Sequence, residues 1–386
     1  MYVRDLLAAV LLVLVPWATL AATGNEPRVV PGFTLERIAT VDGGRELAVA
    51  SNGDLFVGTS GNDVYIVQRV ESSSPAAPQV FAHFDNEPAA GVALSNDALF
   101  VGTQFGVYQI PYRAGDTHAR STPEKLANVR PSGVARDHVT TTVAWNGTTL
   151  YASIGSSCDG CVPDLDATRA TIQRVDIAHH SIAPVATHIR NAIALAINPQ
   201  TRALWAGVAG IDDLPPGQPY EIFDDVTAHT LPVDYGWPSC YDDRRVHPRW
   251  PADCSHTALP RVAFPAYETP IGATFYPADE RGRYAFPQQY RGGAFVTLHG
   301  SWHGPPNGLP GYVAPRVVFV PMRGDDPLHA VNWNDPNTQW TLFVGGYQNG
   351  GTIERIGRPT GIAVGPEGSL FIADDLSGAI YRIRPK

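Results

Sequence analysis

The chain has almost no lysine. Of its 28 basic residues only Lys125 and Lys386 are lysines, and no run or stripe of positive charge offsets the net charge of −9. Without a basic patch there is no electrostatic footprint for nucleic acid, which is excluded as a partner. The positive charge is carried by arginine, whose planar fork suits carboxylates. Helical periodicity is scarce, and long apolar runs are scarcer: the unbroken decamer Leu6–Val15 is too short for a bilayer-spanning helix, and Pro16 interrupts its extension. That decamer follows a weakly basic start, Met1 to Arg4, and precedes Thr19-Leu20-Ala21-Ala22, the layout of a secretory signal peptide. Residues 1–22 are read as that signal. The mature chain, residues 23–386, is read as one exported domain without a membrane span, periplasmic or secreted.

Cysteine is also sparing. Four residues, Cys158, Cys161, Cys240 and Cys254, form an even set that suits an oxidising compartment. Cys158-Asp159-Gly160-Cys161 admits redox exchange, haem attachment or a local bridge; Val162 stands where a c-type haem needs histidine, so haem is excluded. A local structural bridge is the preferred reading, with Cys240 and Cys254 stapling a second loop, although connectivity is not legible from sequence.

What the chain has in quantity is glycine (37), proline (34) and apolar residues (44%), the composition of a turn-rich β fold with a full core. One phrase recurs: small and apolar residues, a turn, then leucine or alanine with an aromatic residue and small residues. Its copies run from Leu47 to Gly58, Gly91 to Gly102, Thr142 to Ser153, Ala194 to Gly207, Gly272 to Thr297 and Gly361 to Ala373. Each is read as an inner hairpin whose small residues suit strands crowded around an axis. Six copies predict an all-β fold, a six-bladed β-propeller. The segment Val29 to Val41 is an extra strand suited to closing the ring against the last blade. Insertions at Cys158–Arg169, Asp212–Pro265 and His299–Arg358 are the expected carriers of function, since long loops on a rigid scaffold usually hold the site.

Polar residues stand where inner strands begin. Asp137-His138 opens the third repeat, Arg190-Asn191 the fourth, and Arg358 precedes the sixth. A histidine there suits general-base work because its pKa lies near neutrality, and arginines suit an anionic or carbonyl-bearing ligand. The competing reading is a polar axis lining without catalysis.

Read in order, Val107 to Asp116, Asp137-His138-Val139-Thr140, Ser153 to Cys158, Arg190-Asn191, Tyr235-Gly236-Trp237-Pro238, His299-Gly300-Ser301-Trp302 and Gly357 to Gly361 with Ala373-Asp374-Asp375 resemble the sorbosone dehydrogenase-like branch of soluble quinoprotein sugar dehydrogenases. The resemblance spans the mature chain and implies pyrroloquinoline quinone (PQQ) and calcium as cofactors. It implies His138 as general base and Arg190 as the catalytic group stabilising charge on the quinone. Asp137, Asn191, Arg358 and Trp302 become cofactor contacts, and the backbone carbonyls of Gly210 and Ile211 become calcium ligands. Asp212, Asp213, Glu221, Asp224 and Asp225 lie nearby, either as solvated surface acids or as ligands of a second, structural calcium.

The chain departs from the family pattern at three places. Neither lysine matches the cofactor lysine of the glucose-oxidising members, His303-Gly304 replaces Asn-Arg after Trp302, and Pro88 to Gly91 stands where those members place glutamine. The implied activity is oxidation of a sugar or sugar-derived aldehyde or hydroxyl, with electrons leaving to an external acceptor, a quinone or a cytochrome. Two other readings share the fold: a calcium-dependent lactonase or esterase, and a non-catalytic binding propeller of the envelope.

Overall fold

In the second strand of every repeat each side chain is buried: Leu55–Thr59, Ala98–Thr103, Leu150–Ile154, Leu204–Val208, Ala294–Leu298 and Leu370–Asp374. A strand buried on both faces must lie in a sheet covered on both sides. The computed structural model describes residues 26–130, 138–162, 164, 166–301, 313–348 and 354–386, and within them six antiparallel sheets meet this demand as the blades of a propeller. The signal segment 1–22, Asp137 and Trp302 lie outside the described residues.

The six inner strands are Gly44–Val49, Gly91–Leu94, Val143–Trp145, Ala192–Ile197, Pro270–Phe275 and Pro359–Val364, each touching the next around a closed ring. Their crowding explains the small residues. A Cβ on Gly58 would overlap the Ala90 carbonyl, one on Gly91 or Gly102 the Thr141 carbonyl, one on Gly272 the Thr360 carbonyl, and one on Gly361 the Arg45 carbonyl. Six apolar clusters fill the spaces between adjacent blades. Phe56, Phe81 and Tyr108 join the first two blades, while Trp205, Phe223 and Phe275 join the fourth and fifth. Stability is thus spread over blade interfaces rather than gathered in one centre.

Closure follows the sequence reading. Phe33–Thr40 pairs antiparallel with the last strand, Ala379–Pro385, so the outermost strand of the sixth blade comes from the N-terminal end of the described chain. Arg28–Val29 pairs with Thr341–Gly345 of the fifth blade, so one short segment ties two blades together. Phe33 anchors the closure, its ring 4.7 Å from Phe286 and 5.2 Å from Phe343.

Two of the expected insertions are partly blade. Asp212–Pro265 contains Glu221–Asp225 and Val262–Phe264, the third and fourth strands of the fourth blade; His299–Arg358 likewise supplies Arg316–Val320 and Thr341–Gly345 to the fifth. The remainder of the first insertion reaches back, its Val233–Asp234 pairing in parallel with the edge strand Ser181–Thr187 of the third blade. Both disulfides form, Cys158–Cys161 and Cys240–Cys254. No helix among the described residues is long and apolar enough to cross a membrane.

Candidate functional site

The second strand of the third blade ends at Ile154 and runs into Gly155-Ser156-Ser157-Cys158 at the rim where inner strands start. His138 and Asn191 close on that turn from either side. A Cβ on Gly155 would stand 2.5 Å from the His138 Cβ and 2.6 Å from the Asn191 Oδ1, so only glycine fits between them. The Ser156 N–H donates to the Arg190 carbonyl at 2.7 Å, joining the approach to the third blade with that to the fourth.

His138 Nδ1 lies 2.9 Å from the Ser156 carbonyl oxygen and 3.0 Å from its hydroxyl. The hydroxyl donates its proton to the Cys158 carbonyl at 2.6 Å. With two acceptors facing it, Nδ1 must carry the proton, which leaves Nε2 as the lone-pair nitrogen. Burial, reinforced by the Arg190 and Arg169 charges, pushes the His138 pKa down to about 3. The ring is therefore neutral at physiological pH, with its lone pair at Nε2. Arg169, which sequence reading passed over, donates to the His138 carbonyl at 2.8 Å and holds the backbone there.

Arg190 is buried and heavily engaged. Its Nη2 meets Asp159 Oδ1 at 2.7 Å and Asp212 Oδ2 at 3.5 Å, its Nε donates to the Asp159 carbonyl at 3.3 Å, and its Nη1 donates to the Ala209 carbonyl at 3.2 Å. Gly210 follows, its N–H donating to Glu221 Oε2 at 2.7 Å. Among the described residues neither the Gly210 nor the Ile211 carbonyl accepts a hydrogen bond. The nearby acids are not one surface cluster. Glu221, Asp224 and Asp225 are buried, which corrects the solvated reading for those three. Both Glu221 oxygens accept backbone N–H groups, from Gly210 and Tyr267, and burial lifts its pKa to about 8. Asp224 accepts from Tyr235, Arg261 and His229, while Asp225 caps a short 3-10 turn.

Arg358 sits in a group of its own ahead of the sixth inner strand. Its Nε and Nη2 donate to the carbonyls of His299 and Gly300, both at 3.2 Å. The nearby Asp375 is taken by Arg45 at 2.9 Å and by His299 Nε2 at 3.1 Å. Among the described residues no carboxylate lies within ion-pair distance of Arg358, and burial, together with Arg355, lowers its pKa to about 10. A desolvated cation with only carbonyl partners is poised for an anion. His299 is held neutral by burial, its pKa near 4 despite Asp375.

The structure thus brings His138, Arg190, Asn191 and the Gly210-Ile211 turn into one hydrogen-bonded group and leaves Arg358 in a second with His299, Arg45 and Asp375. Arg45 carried no sequence signal beyond its own identity, while Asp159 and Asp375 stood out only as members of the segments Cys158–Cys161 and Ala373–Asp375.

Six blades whose inner strands touch in one closed ring define the class, a six-bladed β-propeller. Residues 243–386 match the TrAA12-like family model. No curated protein matches the sequence. Among solved structures, a Trichoderma reesei carbohydrate-active enzyme of family AA12 superposes with a TM-score of 0.78 at 19% identity, over 95% of this chain and 100% of its own. The holo form of the pyranose dehydrogenase PQQ domain from Coprinopsis cinerea gives 0.75 at 16% identity, covering 93% of this chain and 97% of that one. The PQQ-bound aldose sugar dehydrogenase from Streptomyces coelicolor gives 0.62 at 14% identity, covering 94% and 100%. These likenesses establish the six-bladed fold.

Proposed function

We propose that this chain is an exported PQQ- and calcium-dependent oxidoreductase that oxidises a sugar or sugar-derived aldehyde or hydroxyl, in the manner of the sorbosone-type dehydrogenases, and passes electrons to an external acceptor. The observation that carries the reading is His138, a half-buried neutral imidazole with Nδ1 committed to Ser156 and Nε2 left to act as base. The PQQ-bound structural relatives and a calcium structure of the AA12 enzyme support the choice of cofactors.

The residues present fit such a group. Arg358 forms no contact ion pair among the described residues and would take a carboxylate from PQQ, while the Gly210 and Ile211 carbonyls would offer hard oxygen ligands to calcium. Bound quinone supplies a two-electron sink. The chain's own work is to hold it and to move one proton. His138 Nε2 would take the proton of the substrate hydroxyl, and the Nδ1–H bond to the Ser156 carbonyl would stabilise the imidazolium so formed. Arg190 would stabilise negative charge near the start of the fourth blade. Asn191, against Gly155, keeps the base in register.

The test is to titrate the purified mature protein with PQQ and calcium, following quinone absorbance and thermal midpoint, with dye reduction by aldoses as the activity. Saturable binding, with turnover lost in His138→Ala, is expected. Absence of binding and of any thermal shift overturns the reading and turns attention to hydrolysis or simple recognition.

A further inference from the structure

One feature near the candidate site serves none of the roles above: the four-residue loop closed by the Cys158–Cys161 disulfide. It is anchored at its start, where the Ser156 hydroxyl that faces His138 donates to the Cys158 carbonyl. Its second residue, Asp159, gathers partners from two other segments. Asp159 Oδ1 accepts from Arg190 Nη2 at 2.7 Å, and its two carboxylate oxygens accept the Asp212 N–H at 3.0 and 3.2 Å. The Asp159 carbonyl accepts from Arg190 Nε at 3.3 Å and from Trp237 Nε1 at 2.9 Å. Its third residue, Gly160, is wedged so tightly that a Cβ there would overlap the Trp250 ring and stand 2.7 Å from Ile211 Cδ1.

Two parts of the candidate site therefore rest on this loop, the Arg190 guanidinium and the Gly210–Asp212 turn. An arginine carries five N–H donors in a fixed plane, and Asp159 takes Nε and Nη2 together. That grip fixes the plane of the guanidinium. With Nη1 bound once to Ala209 and Nη2 also facing Asp212, one Nη1 N–H has no protein acceptor among the described residues. The carboxylate also places the Asp212 amide, and with it the Ile211 carbonyl that shares its peptide plane.

We propose that the disulfide-closed Cys158–Cys161 loop is a clasp and that Asp159 is a positioning residue, setting the orientation of Arg190 and of the 210–212 turn so that an anionic quinone and its cation bind together. The proposal rests on the quinoprotein reading for the ligand but not for the clasp itself. The bridge matters because a four-residue ring holds Asp159 in place when the site is empty, so that little ordering is left for the binding step.

Asp159→Asn, Asp159→Glu and the double variant Cys158→Ser/Cys161→Ser are compared with the native mature protein in two measurements. The first is amide hydrogen exchange over residues 205–215, followed by mass spectrometry without ligand. The clasp predicts exchange faster by about tenfold or more at the turn in Asp159→Asn and in the serine double variant, with peptides of the first and sixth blades unchanged. The second is the PQQ titration in calcium, where loss of a charge-assisted pair predicts affinity roughly ten- to a hundredfold weaker, with partial recovery in Asp159→Glu and a smaller change in kcat than in KM. Unchanged exchange in Asp159→Asn overturns the clasp whatever the quinone does. Faster exchange with undiminished quinone affinity overturns the positioning role. If the native protein binds no quinone while exchange still rises, the functional reading falls and the clasp stands. Should the serine variant not fold, the two Asp159 variants decide alone.

Discussion

His138 and Ser156 are joined at two atoms, the imidazole Nδ1 lying 2.9 Å from the serine carbonyl and 3.0 Å from its hydroxyl. That pairing orients the ring and chooses its tautomer, which makes His138→Gln a sharp test. A general base contributes about 10² to 10⁴ in rate, so turnover is expected to fall by that much while quinone affinity changes less than threefold. Stopped-flow reduction of the bound quinone measures the rate, and the quinone titration measures the affinity.

The same burial predicts an unusual pH profile. His138 holds its pKa near 3, so the acid limb of kcat/KM for free enzyme should lie far below the 6.5 of an ordinary histidine. An acid limb centred at 6 to 7 would reassign the base.

Stability should respond to pH with opposite signs on the two sides. His138 and His299 have folded values of about 3 and 4 against 6.5, so the unfolded chain binds more protons below 6.5 and their contribution is lost as the pH falls. Glu46 and Glu221 have folded values of about 8 against 4.5, so their contribution is full below 4.5 and is lost as the pH rises towards 8. Between 4.5 and 6.5 the two trends oppose one another. The thermal midpoint is expected to be highest in that window and to decline on both sides, and Glu46→Gln with Glu221→Gln should flatten the alkaline decline. Differential scanning calorimetry across pH 3.5–9 checks it.

Arg358→Ala should weaken PQQ binding by roughly ten- to a hundredfold, the worth of a charge-assisted hydrogen bond, with Arg358→Lys recovering part of it. The ligand-free protein should melt within a few degrees of the native one, because the guanidinium is desolvated and, among the described residues, only carbonyls accept from it. Isothermal titration beside a melting curve separates the two effects.

Gly155→Ala places a methyl group between His138 and Asn191, 2.5 and 2.6 Å from their nearest atoms. Overpacking of this kind costs about 1–3 kcal/mol, and kcat should fall at least tenfold because the base is displaced. Urea unfolding and steady-state rates test the pair of effects. At the closure, Phe33→Ala removes a ring packed against Phe286, Tyr290 and Phe343 and should cost about 3–5 kcal/mol by urea unfolding, leaving the site unchanged in the folded protein.

The ring of inner hairpins was legible because crowding around an axis demands the same small residues in each blade, and that demand is written six times from Leu47 to Ala373. Closure by the segment Val29 to Val41 was legible for a similar reason, since an unpaired strand beside an open blade has one good place to go. The third and fourth strands of the fourth and fifth blades were hidden inside insertions: Glu221–Asp225 is rich in acids and reads as a surface segment until its burial between neighbours is seen.

The sequence by itself determined the fold class, the even set of cysteines and the polar residues that open the third, fourth and sixth blades, because each depends on spacing along the chain. Only the tertiary structure decided what those residues touch. Asp159 and Arg190 are 31 positions apart and meet through a bridged loop; His299 and Asp375 are 76 apart and meet across two blades. Such pairs are made by the return of blade after blade to one rim, a distance in space that no local pattern of residues encodes.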